Sequence, residues 1–183
     1  PKYLAERSAI LPSGYQKKRK YDKVMILNKV DNGQKEVEPM TDCIFCKIAN
    51  HEIPSSIVYE DDVVIAFLDL SQVTKGHTLL VPKRHVADIF EYDEELAKEV
   101  FSRVPKIARA IERSSDDILG LNILNNNRSI AYQSVFHSHI HFLPRYEDSD
   151  SDGFGLKWKT HEGKYSQEEL AKVVASIKES LEE

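Results

Sequence analysis

At 183 residues, with 41% hydrophobic and 30% charged side chains, the chain has the size and balance of one globular domain with a modest appendage. Its net charge of -5 is unevenly spread: residues 1–39 hold nine Lys/Arg against five Asp/Glu, the remainder sixteen against twenty-five. An acidic body argues against general nucleic-acid binding, which needs basic side chains along the phosphates, and no apolar run approaches the roughly 20 residues that span a bilayer.

The first 39 residues are polar and basic around Gln16–Lys20, with turn signals at Pro12-Ser13-Gly14 and Asp31-Asn32-Gly33 and one strand-like segment, Val24–Leu27. Met40-Thr41-Asp42 reads as a natural start, so residues 1–39 are set aside as an N-terminal extension or linker and 40–183 are taken as the domain. With no signal-peptide pattern and too few cysteines for a disulfide framework, a cytoplasmic location is expected. The two cysteines, Cys43 and Cys46, stand in a Cys-x-x-Cys spacing that points to metal or redox chemistry.

Ile57–Glu60 and Val63–Leu68, separated by Asp61-Asp62, predict a hairpin, and Thr78–Val81, closed by Pro82, a third strand. From about Asp93 to Ser114 the apolar residues Leu96, Val100, Phe101, Val104, Ile107, Ala108 and Ile111 recur at three- and four-residue spacing, predicting a helix with a kink or local break at Pro105. Gly120–Leu124 is a fourth predicted strand, and Asn125–Arg128 a polar loop into a fifth. The acidic run Glu147–Asp152 reads as a solvated loop, and Ser166-Gln167-Glu168-Glu169 as a capping box opening a helix to about Leu181. This order favours an α+β fold with a five-stranded antiparallel sheet, one long helix and a C-terminal helix.

The fifth strand carries most of the chemistry. In Gln133-Ser134-Val135-Phe136-His137-Ser138-His139-Ile140-His141-Phe142-Leu143-Pro144 three histidines alternate, so strand periodicity puts His137, His139 and His141 on one face and Phe136, Ser138, Ile140 and Phe142 on the other. Three facing imidazoles build a poor core but can hold a phosphate or a metal. A neutral imidazole is also a competent nucleophile near pH 7, because its ordinary pKa is about 6.5.

The His-x-His-x-His pattern resembles the histidine triad (HIT) superfamily of nucleotide hydrolases and transferases. Cys43-Ile44-Phe45-Cys46-Lys47-Ile48, Ala66–Leu70, Gly76–Lys83 and Gln133-Ser134-Val135 resemble family segments in family order, over about residues 41 to 146, and the tail is similar to bacterial members. The resemblance implies that His139 is the nucleophile, with His141 and His77 beside the α-phosphate, and that Asn126, Gln133 and Ser134 contact phosphate oxygens or the leaving group. It further implies that Asp69 binds the ribose hydroxyls and that Ile44, Phe45, Ile48 and Ile53 form an apolar slot for the base. Tyr132 stands where close relatives often have Gly. From zinc-containing members it implies a structural Zn(II) held by Cys43, Cys46, His85 and His137, and no organic cofactor; His51 and His161 are left as surface residues.

The function so implied is hydrolysis at the α-phosphate of a purine nucleoside phosphoramidate or adenylate, in the manner of the Hint branch, releasing a nucleoside monophosphate. The alternatives are a Fhit-type dinucleoside polyphosphate hydrolase and a nucleotide-binding or interaction module with incidental catalysis. Family members of this type imply a homodimer with a ten-stranded sheet.

Overall fold

The computed structural model describes residues 42–146, 154–155 and 160–181. The strand expected at Val24–Leu27, the basic cluster at 16–20 and the acidic run at 147–152 lie outside them. Five strands, β1 (Ile57–Glu60), β2 (Val64–Leu68), β3 (Thr78–Pro82), β4 (Gly120–Leu124) and β5 (Ile140–Arg145), form one antiparallel sheet in the order β1-β2-β3-β5-β4. Among the described residues three α-helices accompany it: α1 (Ile44–Ala49), α2 (Glu94–Glu112) and α3 (Gln167–Leu181). The fold is therefore α+β with a five-stranded antiparallel sheet, as the sequence predicts.

The period-two alternation of the central strands divides the core into two halves. Ile65, Phe67, Leu79 and Val81 pack against Phe45, Cys46, Ile48 and Ala49 of α1, while Val64, Ala66, Leu80, Ile140 and Phe142 pack against Leu96, Val100 and Ile107 of α2. Burial of each of these α2 side chains is worth about 1.5–3 kcal/mol. His141 pairs with Leu79 across the sheet and so lies on the α1 side, opposite Ile140 and Phe142.

Local chemistry fixes the element ends. In the β1–β2 turn the Asp61 carboxylate accepts from the backbone N–H groups of Val63 and Val64 at 2.9 Å, and from Tyr59 Oη and Arg103 Nε at 2.8 Å. Burial opposes ionisation there, but the Arg103 guanidinium and these donors hold the carboxyl well below its usual range, tying the hairpin to α2. Asp93 caps α2 by accepting from Leu96 N at 2.7 Å, and Glu94 and Glu95 complement the helix dipole in the first turn. The α2 helix runs without interruption through Pro105, which corrects the expected local break. Pro105 lies on the exposed side, where water can satisfy the carbonyl its missing N–H leaves unpaired. At α3 the capping box forms as read: Ser166 Oγ accepts from Glu169 N at 3.2 Å, and the Glu169 carboxylate accepts from Ser166 N at 2.8 Å.

One further expectation is corrected, and one element is added. The fifth strand begins at Ile140, so His137 and His139 precede it; Ser138 N donates at 2.7 Å to Val86 O, and β5 pairs with β3 only from Ile140 onward. Helix α1 was not foreseen, and it places Phe45, Cys46, Ile48 and Ala49 in the core.

Candidate active site and metal centre

The segment ahead of β5 carries two adjoining sites. The first lies where it passes α1. Cys43 Sγ is 3.4 Å from His137 Nδ1, and Cys46 Sγ is 3.3 Å from His85 Nδ1 and 3.5 Å from His137 Nδ1. One donor atom of each of these four residues lies within 4.8 Å of the others, so together they can hold a metal ion. Tetrahedral coordination at ordinary Zn–S and Zn–N bond lengths separates S from N by about 3.5 Å, matching the observed spacing. His137 is fully buried and donates Nε2–H to Pro82 O at 2.8 Å, which turns the lone pair of Nδ1 toward the sulfurs.

The thiols fit the same use. Burial raises the Cys43 thiol, but the adjoining His137 and His85 rings outweigh it and draw it down to about 5. Burial and the neighbouring Cys43 charge push Cys46 up to about 12. The cluster alone thus favours one thiolate over two, whereas a dication would stabilise both.

The second site is built on His139, which is 3% exposed. Its Nδ1–H donates to His137 O at 2.7 Å, leaving the lone pair on Nε2. The Phe45 ring stands edge-on at 5.2 Å between centroids, and His141 likewise at 4.9 Å. Burial lowers the His139 pKa, with the His137 and His77 charges adding to the effect and the His137 carbonyl and Asp69 opposing it. Burial, then His139 and His77, lower His141 to about 4. His77 is lowered too, by burial against the opposing Asp69.

His77, at the start of β3, bridges the others. Val73 N–H points at its Nδ1 at 3.5 Å, and its Nε2 lies 3.0 Å from His141 Nδ1. This order makes His77 the donor to His141, whose Nε2–H is buried and without a partner among the described residues. Asp69, following β2, has one oxygen 3.8 Å from His77 Nδ1 and another accepting from Ser71 N at 2.8 Å.

The remaining predicted residues divide between scaffold and surface. Gln133 is buried, and its amide is occupied by backbone: it donates to Ala87 O at 2.6 Å and Val135 O at 3.1 Å, and accepts from Arg128 N at 2.6 Å. Ser134 is exposed beside it. Asn126 is half-buried between two engaged neighbours: Asn125 Nδ2 donates to His139 O at 2.9 Å, and Asn127 Oδ1 accepts from Ile89 N at 2.9 Å. Phe45 and Ile48 are core residues, Ile53 is partly buried against them, and Ile44 is 45% exposed. His51 and His161 are exposed, as expected, and His51 pairs with Glu60 at 3.0 Å.

Residues missed from the sequence include Asn125 and Gln72. Gln72 closes the loop between β2 and β3 by donating to His77 O at 2.8 Å and accepting from Gly76 N at 2.7 Å, and Gly76 itself takes φ +84. Tyr132, 88% exposed, stands in the left-handed region at φ 67, ψ 18, a conformation that suits glycine. No helix among the described residues is long and apolar enough to cross a membrane.

Comparison with known proteins agrees with this arrangement. The chain is 55% identical over 139 residues to "Protein hit" of Bacillus subtilis (strain 168), covering 76% of this chain and 94% of that one. It is 35% identical over 119 residues to the adenosine 5'-monophosphoramidase hnt1 of Schizosaccharomyces pombe, covering 65% and 84%. A crystal structure of a HIT family member from Bacillus subtilis superposes with a TM-score of 0.71 at 54% identity, covering 75% of this chain and 96% of that one. The HIT domain family matches residues 50–148, and the chain belongs to that family.

Proposed function

We propose that the protein is a nucleotide hydrolase cleaving at the α-phosphate of a purine nucleoside phosphoramidate or adenylate through a nucleotidyl-histidine intermediate. The observation that carries this reading is the pinned tautomer of His139: Nδ1 donates to a backbone carbonyl, so Nε2 is a fixed, buried lone pair. The 5'-monophosphoramidase name of the fission-yeast relative supports the substrate class.

In this mechanism His139 Nε2 attacks phosphorus, an N–P bond forms, and the P–N or P–O bond to the leaving group breaks as that group takes up a proton from solvent. Water then attacks the same phosphorus and gives up a proton to solvent, the His139–P bond breaks, and the monophosphate leaves with neutral His139 restored. His141, with an unpartnered Nε2–H relayed from His77, donates to a phosphoryl oxygen as charge develops there. Asp69 accepts from the ribose hydroxyls; Ile44 and Ile53 flank the base, with Phe45 and Ile48 behind them; Asn126 and Ser134 face the phosphate and the leaving group. Gln133, wholly occupied by backbone, serves by holding the loop that presents Ser134.

The reading includes a structural Zn(II) on Cys43, Cys46, His85 and His137; four protein ligands leave no open position, so its contribution is to tie α1 to the segment that carries His139. It also includes a homodimer formed through α2 and the edge strand β4, where Phe101 and Ile123 are exposed.

Replacing His139 by Ala tests the mechanism. Hydrolysis of an adenosine phosphoramidate is expected to fall at least about 1,000-fold while AMP affinity stays within a few-fold of wild type. Unchanged turnover refutes the covalent route.

A further inference from the structure

Asp69, His77 and His141 form a second metal-capable cluster, distinct from the cysteine site. They come from three places in the fold: just after β2, just before β3 and the second position of β5. One donor atom of each lies within 4.8 Å of the others. The two imidazole nitrogens of His77 and His141 are already 3.0 Å apart, close to the roughly 3.3 Å that separates two nitrogens on one tetrahedral zinc. What joins them now is one proton on His77 Nε2, and a metal ion can take its place once that proton moves to Nδ1, on the side of Asp69. The His77 side chain is 3% exposed, so the surroundings that strengthen a phosphate contact strengthen a metal contact as well.

From this geometry we infer that the phosphate pocket is also an inhibitory site for a borderline first-row dication, Zn(II) being the type case. Asp69, His77 and His141 supply one oxygen and two nitrogens, a donor set that suits Zn(II) and disfavours Mg(II), which takes oxygen ligands and keeps its water. The ion occupies the position read as that of the α-phosphate, so metal and nucleotide exclude one another. The competitive part of this inference rests on the proposed nucleotide site; the metal site itself does not.

Protein carrying one equivalent of zinc at the cysteine cluster is titrated calorimetrically with Zn(II) at pH 7.5. Wild type is expected to take up a second equivalent, and His77→Asn and Asp69→Asn each to lose it. Asp69 is partly exposed and absent from the core, so its variant keeps the test valid if His77→Asn fails to fold. Saturating AMP is expected to weaken the second equivalent at least about tenfold, and Mg(II) to produce no binding there. A single equivalent in wild type, or a second that survives both substitutions, overturns the site. Binding of the second equivalent unaffected by AMP overturns the exclusion. If AMP itself fails to bind metal-free protein, the nucleotide reading falls while the metal count still stands on its own.

Discussion

His139 shows how one backbone atom can decide a side chain's chemistry. A neutral imidazole has two tautomers, and only one offers Nε2 as a nucleophile; the His137 carbonyl at 2.7 Å selects it. That carbonyl belongs to a residue whose ring is itself fixed at both ends, by Pro82 O and by the two cysteines. Tyr132 shows the opposite case, a side chain at odds with its backbone. A non-glycine residue in the left-handed region costs about 1 kcal/mol, and this one is almost fully exposed, so its side chain offsets little of that cost. Tyr132→Gly is expected to leave stability unchanged or raise it by up to about 1 kcal/mol. Urea denaturation checks this, and a loss of more than about 1 kcal/mol would show that the tyrosine ring makes a stabilising contact.

At the scale of elements, α1 is only six residues long and has no helical stability of its own. Its packing against Ile65, Phe67, Leu79 and Val81, and the cysteine–histidine cluster, hold it in place. Chelation is therefore expected to lower the Tm of wild type and to leave Cys46→Ala, already metal-poor, nearly unchanged. Full metal occupancy in Cys46→Ala would contradict the ligand assignment. The same shortness explains why α1 escaped the sequence: six residues show too little periodicity to separate a helix from a buried strand. The hairpin, the 19-residue α2 and the capping box were legible because each is written in local spacing. Asn125 was not, because its partner, the backbone oxygen of His139, lies on another segment, and Gln72 was not, because nothing in its residue type marks it as the clasp of its own loop. The three histidines were expected on one strand face, yet two of them precede β5, since nothing local reveals that Ser138 N bonds Val86 rather than a strand neighbour.

For the whole molecule, burying three neighbouring imidazoles sets the response to acid. His77, His139 and His141 all titrate below the ordinary 6.5, chiefly because burial penalises their charged forms, His141 reaching about 4. Between those pH values the unfolded chain binds more protons than the folded one, so stability falls as pH falls through 6.5 and keeps falling toward 4. Cys43, held near 5, acts in the same direction. The urea midpoint is expected to drop between pH 7.5 and pH 5 with an unchanged denaturant slope; a midpoint that is flat or rises in acid would contradict this.

Two sites thus share one short segment, the cysteine cluster fixing His137 and the His137 carbonyl fixing His139. The most direct test of the proposed chemistry is to trap the intermediate. Wild-type protein mixed with excess adenosine phosphoramidate is quenched in alkaline denaturant, which preserves phosphorus–nitrogen bonds, then digested and analysed by mass spectrometry. The expected result is a nucleotidyl group on the peptide containing His139, attached at that residue and absent from His139→Ala. Turnover with no adduct under single-turnover conditions, or an adduct on another residue, would contradict His139 as the nucleophile.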